Sequence, residues 1–133
     1  MVAGSRCVRP VQDQALCVLD TVPRDGTRGF LLETPRGSRE LFLVRRGPTV
    51  YAYLNCCPHT GAPLNWLPDQ FLNRERTLIQ CANHDALFRI EDGYCVHGPC
   101  HGRSLIPVDI AVRDGHVVLL DPSVHLRYPD RFP

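Results

Sequence analysis

The sequence predicts an all-β protein. Three observations carry that expectation. Apolar residues alternate with polar ones over short stretches, Gly- and Pro-containing turns separate those stretches, and no long run shows a helical period. Ala15–Leu19 reads as a strand, and Pro23-Arg24-Asp25-Gly26 as the turn after it. Phe30–Glu33 and Glu40–Arg45 follow, divided by Thr34-Pro35-Arg36-Gly37-Ser38. Arg46-Gly47-Pro48 turns into Thr49–Leu54, where Val50, Ala52 and Leu54 alternate with Tyr51 and Tyr53. Thr77–Gln80 and Ala86–Ile90 are the next strands, the latter ending at the turn Glu91-Asp92-Gly93. Pro107–Val112 and His116–Leu120 form a hairpin around Arg113-Asp114-Gly115. A single short helix is expected, within Leu67–Arg76. Strands of this length and spacing suit a small sandwich or barrel.

At 133 residues the chain is expected to form one domain. Its net charge is +1 and no block of Lys and Arg stands out, which argues against nucleic acid as a partner. The longest apolar runs, such as Leu41-Phe42-Leu43-Val44, are too short to span a membrane. Met1-Val2-Ala3-Gly4-Ser5-Arg6 leads into no long apolar stretch, so a secretory signal is not expected and a reducing cytoplasm is. The odd count of seven Cys argues against a complete disulfide framework.

The residues that carry chemistry are Cys57-Pro58-His59 and Cys81-Ala82-Asn83-His84, a C-x-H and a C-x-x-H. Thiolate and imidazole are ligands for soft and borderline metals. Two Cys and two His could hold a tetrahedral zinc ion and make the chain a zinc-stabilised binding module. Zinc fingers usually pair Cys with Cys and His with His. Here each half offers one of each, which suits a site with two unlike metal positions, as in a [2Fe–2S] cluster with two Cys on one iron and two His on the other. Cys56 neighbours Cys57, but adjacent strand residues rarely face one site, and the C-x-H register selects Cys57. Cys95, His97, Cys100 and His101 form a second Cys/His group, for which packing or exposure is expected rather than ligation. Surplus thiols at Cys56, Cys95 and Cys100 also leave open a thiol-based redox sensor. Trp66 is expected to pack under the first motif's loop, and Arg45-Arg46 to be a solvated face.

From about Leu16 to Leu120 the chain resembles the Rieske proteins. The resemblance is strongest over Asn55-Cys56-Cys57-Pro58-His59-Thr60-Gly61-Ala62-Pro63-Leu64 and continues through Cys81-Ala82-Asn83-His84-Asp85-Ala86-Leu87-Phe88, Gly93, Gly98-Pro99 and Leu105-Ile106-Pro107-Val108. It implies three stacked antiparallel sheets, with a cluster-binding subdomain (about 55–105) inserted into a β base domain (about 14–54 and 106–121). A tail, 122–133, follows and is expected on the surface. The resemblance also implies one [2Fe–2S] cluster per chain. Cys57 and Cys81 would hold one iron and His59 and His84 the other, and the segment around Gly98-Pro99 would cover the site.

The resemblance also separates subtypes. Rieske subunits of cytochrome bc complexes carry a disulfide at positions corresponding to Ala62 and Asn83, and hydroxyls on cluster sulfurs at positions corresponding to Ala86 and Phe88. This chain has neither, and is similar instead to the soluble, ferredoxin-like Rieske proteins of oxygenase systems. The implied role is a monomeric one-electron carrier, with a flavin reductase as donor and an oxygenase as acceptor. The second, large domain that carries oxygenase chemistry is not expected. Asp85 stands where the family commonly has Gly, and a carboxylate near the cluster would disfavour an added electron.

Overall fold

The structure is a computed structural model and describes residues 14–58, 60–82 and 86–120, together with the backbone of 125–126. Its strands are β1 (Gln14–Val18), β2 (Thr27–Thr34), β3 (Gly37–Arg46), β4 (Thr49–Leu54), β5 (Leu78–Gln80), β6 (Leu87–Arg89), β7 (Cys95–His97), β8 (Ile110–Arg113), β9 (His116–Leu119) and β10 (His125–Leu126). One 3-10 turn, Leu19–Thr21, follows β1.

Among the described residues these strands form three antiparallel sheets, ordered β1-β9-β8, β10-β2-β3-β4 and β5-β6-β7. The all-β expectation and its three sheets are therefore met. The middle sheet is buried on both faces, which explains the unbroken run Leu41-Phe42-Leu43-Val44. Side chains alternate along a strand. Leu41 and Leu43 enter one core with Leu16, Phe30, Val117 and Leu119. Phe42 and Val44 enter a second core with Phe71, Ile79, Phe88 and Leu105. The alternation along β4 divides in the same way, with Ala52 in the first core and Tyr53 in the second.

Tyr53 ties the second core to the third sheet. Its hydroxyl donates to the Ile90 carbonyl at 2.6 Å, and burial holds the phenol far above its ordinary pKa, so it stays a donor. Gly93 (φ 73°) lies against its ring, where a Cβ would come within 2.8 Å of Tyr53 Cε1. Arg89 and Asp92 pair across the turn between β6 and β7, and the Arg89 hydrogen bond holds the Asp92 carboxyl below the usual carboxylate range.

Four expectations need correction. Segment 67–76 holds no helix. Residues 71–73 instead run antiparallel to 78–80, with a Leu72–Ile79 bridge and Gln80 N donating to Phe71 O at 2.9 Å. Asp69 and Arg76 take positive φ (both 61°), and the Asn73 carboxamide oxygen accepts from Thr77 N and Leu78 N, so local side-chain bonding wins over helix. Second, β7 was not expected as a strand. Third, β10 adds two residues to the edge of β2 within what was read only as a tail. Fourth, Arg45 is buried rather than solvated. Its guanidinium donates to the carbonyls of Gly47 (2.8 Å), Val22 (3.1 Å) and Leu19 (3.3 Å), which satisfies a charge held inside the fold. No helix among the described residues is long and apolar enough to cross a membrane.

Candidate metal centre

Two tight loops and one covering segment build the site. The first loop starts at Cys57, whose N–H donates to Ala62 O at 2.8 Å, while Gly61 N donates back to Cys57 O at 2.7 Å. Gly61 has φ 78°, a turn conformation that Gly adopts without steric cost. The second loop starts at Cys81 and closes in the same way, with Cys81 N donating to Ala86 O at 2.9 Å. A hydrogen bond from Ala82 N to Leu64 O at 2.7 Å joins the loops. Each loop thus begins with a cysteine, and both cysteines are almost fully buried in the second core, with Leu64, Ala86 and Phe88.

The first loop is held from below by Asn55, a residue whose role only the tertiary structure reveals. Its carboxamide nitrogen donates to Glu40 Oε1 and Asn65 Oδ1, both at 2.8 Å, and its oxygen accepts from Leu64 N at 2.6 Å. The side chain therefore clasps the Leu64-Asn65 end of the loop to β3. Asn55→Ala leaves the Leu64 N–H without its partner at a buried position, and such an orphaned group costs about 1–3 kcal/mol. A fall in unfolding free energy of about 2 kcal/mol, together with faster iron loss, is the expected result in chemical denaturation followed at the cluster's visible absorption. An unchanged midpoint and unchanged iron retention would remove Asn55 from the site's scaffold.

The covering segment, residues 98–103, touches both loops. Gly98 (φ 99°) packs on the second, where a Cβ would lie 2.8 Å from Ala86 Cα, so only Gly fits there. Arg103 reaches the first loop, its Nη1 donating to Pro58 O at 3.0 Å. Between these contacts the Cys100 sulfur lies 3.6 Å from the Cys57 sulfur, both side chains buried.

The remaining expected site residues fall as follows. His59, His84, Asn83 and Asp85 lie outside the described residues. Cys56 is only partly buried, and its thiol faces Gly61 O at 3.7 Å. In the second Cys/His group, Cys95 and Cys100 are buried, whereas His97 and His101 are exposed. The Cys95 thiol donates to His97 O at 3.2 Å. Among the described residues no three His, Cys, Asp or Glu side chains gather to hold a metal. Trp66, expected beneath the loop, is 73% exposed. It lines a shallow groove with Leu67, Leu72, Gln80 and Ala82 beside Cys81.

Two buried thiols on apolar walls, each opening a hydrogen-bonded loop, fit the thiolate half of an iron–sulfur site. Soft ligands are supplied, and water is kept away from them.

No curated protein matches the chain in sequence. In fold it is similar to the ferredoxin of carbazole 1,9a-dioxygenase from Nocardioides aromaticivorans IC177, with TM-score 0.63 and 23% identity over 81% of this chain and 96% of that one. It is similar also to the Sphingomonas yanoikuyae B1 ferredoxin, with TM-score 0.63 and 22% identity over 84% of this chain and 100% of that one. The terminal oxygenase of carbazole 1,9a-dioxygenase from Novosphingobium sp. KA1 matches with TM-score 0.66 and 19% identity over 92% of this chain, which spans 31% of that protein. The Rieske [2Fe-2S] domain family matches residues 13–118, so the paired loops, the three sheets and the sequence agree that this chain belongs to that family and binds a [2Fe–2S] cluster.

Proposed function

We propose that the protein is a one-electron carrier that takes electrons from a flavin reductase and passes them to an oxygenase. The observation that carries the reading is the pair of hydrogen-bonded loops that open at Cys57 and Cys81 and are tied by Ala82 N–Leu64 O. Cys57 and Cys81 hold one iron as thiolates, and His59 and His84 hold the other. Bound there, the cluster supplies reversible uptake of a single electron. The chain's own residues do the rest. Asn55 and the loop hydrogen bonds preset the ligand positions, so little reorganisation accompanies the electron. Leu64, Ala86 and Phe88 keep water from the thiolates. The residues between 55 and 105 act as the cluster-binding subdomain, and the β1-β9-β8 and β10-β2-β3-β4 sheets act as its base. The protein acts as a monomer, in a reducing cytoplasm, the setting that an odd count of seven Cys supports. The fold likeness to the ferredoxin of carbazole 1,9a-dioxygenase supports an oxygenase as acceptor.

The test is the ligand set itself. The purified protein should be reddish-brown, with about two irons and two acid-labile sulfides per chain. Cys57→Ser, Cys81→Ser, His59→Ala and His84→Ala should each lose or grossly alter the cluster, while Cys56→Ser keeps it. Cluster loss with Cys56→Ser but not with Cys57→Ser would move the ligand register by one residue. Stoichiometric zinc without sulfide would end the reading. Reduction of the purified protein by a flavin reductase and its reoxidation by an oxygenase, followed by visible spectroscopy, tests the direction of transfer.

A further inference from the structure

We propose that Cys100 is a positioning residue for the electron, donating its S–H to the sulfur of Cys57 and so raising the reduction potential of the cluster. The inference rests on the proposed ligation by Cys57. The two sulfurs are 3.6 Å apart, within hydrogen-bond range for sulfur, and both side chains are buried. Geometry alone leaves the donor open. Ligation decides it, because a cysteine bound to iron is a thiolate without a proton. Cys100 is then the donor and Cys57 the acceptor.

The position is fixed from three sides. Arg103 N donates to Cys100 O at 2.8 Å, the Arg103 guanidinium holds Pro58 O, and Gly98 rests on Ala86. The covering segment therefore presents the thiol to the ligand rather than merely passing over it. Cys95, the other buried thiol of this stretch, donates to the His97 carbonyl, within its own strand. Reduction adds one negative charge to the cluster and its sulfurs. A donor on a ligand sulfur stabilises that state more than the oxidised one, so its loss disfavours the electron. A thiol is a weak donor, which keeps the effect moderate.

The experiment uses the full chain with its cluster, as wild type, Cys100→Ala and Cys100→Ser, with iron and sulfide measured in each. Protein-film voltammetry should find the reduction equilibrium of Cys100→Ala weakened about fivefold, roughly 40 mV at one electron. Cys100→Ser, which keeps a donor, should recover at least half of that. Resonance Raman of the iron–cysteine stretches should show a smaller shift between H2O and D2O in Cys100→Ala than in wild type. Packing alone would move neither the deuterium shift nor the Ser rescue. An unchanged midpoint in Cys100→Ala at equal iron content overturns the proposal. Cluster loss in both variants also overturns it, because Cys100 would then be a ligand or a structural wedge. Failure of the ligand reading is seen separately, as a Cys57→Ser protein that keeps its cluster.

Discussion

Removing the iron should open the site end of the molecule while the base sheets stay closed. In the apo protein, cleavage by a non-specific protease should speed up by more than about tenfold within 58–67 and 84–102, which corresponds to only about 1.4 kcal/mol of lost local stability. The reason lies in how unevenly backbone pairing is distributed. β2, β3 and β4 have 8, 10 and 6 residues and pair along their lengths, whereas β5, β6 and β7 have 3 each. The two ligand loops are joined by the Ala82–Leu64 hydrogen bond, and no disulfide bridges them at positions 62 and 83. Metal-site binding energy then contributes to folding where regular structure is sparse. Hydrogen exchange should show the same division, with amides of Leu41–Val44 protected in both forms and those following Cys57 and Ala86 protected only with the cluster. Equal protease resistance and equal exchange in the two forms would mean that the apolar core alone holds the loops.

Much of this was legible in the sequence, and what was not has physical causes. The alternation of Val50, Ala52 and Leu54 with Tyr51 and Tyr53 gave both the strand and the faces, because each face meets a different core. β7 escaped because three residues carry no measurable period, and two of them, Val96 and His97, are exposed. The helix expected over 67–76 failed because the Asn73 side chain and two positive φ angles are decided locally, below the resolution of an apolar pattern. Arg45 looked solvated because its sequence neighbours give no hint of the Leu19 and Val22 carbonyls that receive it, 26 and 23 residues away. At the site, the Cys and His spacing is the ground for the proposed ligands, and the C-x-H register is the ground for preferring Cys57 to Cys56. The Asn55 clasp and the approach of Cys100 to Cys57 span 9 to 43 residues, and no local signal encodes them. Asp85, expected to disfavour reduction, lies with His59 and His84 outside the described residues.

The midpoint potential should fall near the low end of the range of Rieske centres, roughly −150 mV, a range general to such centres rather than derived from this chain. Reduction adds negative charge, and hydroxyls that donate to cluster sulfurs favour it. Ala86 and Phe88 stand where related proteins of cytochrome bc complexes carry Ser and Tyr. Both are fully buried in the same core as Cys57 and Cys81, so water does not replace the missing donors. The thiol of Cys100 offsets only part of the deficit, being weaker than a hydroxyl. A hydrogen bond to a charged acceptor contributes about 1–3 kcal/mol, and about 1.4 kcal/mol corresponds to roughly 59 mV for one electron. Ala86→Ser and Phe88→Tyr should therefore each raise the midpoint by about 40–120 mV. The serine adds one oxygen at a buried position packed against Gly98. The tyrosine places a hydroxyl inside an apolar core, where an unpaired one is costly, and the cluster sulfurs are the acceptors that relieve it. Voltammetry of the wild type and both variants measures the shifts, and the double variant tests whether they add, as independent donors should. A wild-type midpoint well above zero would mean that backbone amides and exclusion of water outweigh the absent hydroxyls. Unmoved midpoints in both variants would mean that neither side chain reaches the cluster's sulfurs.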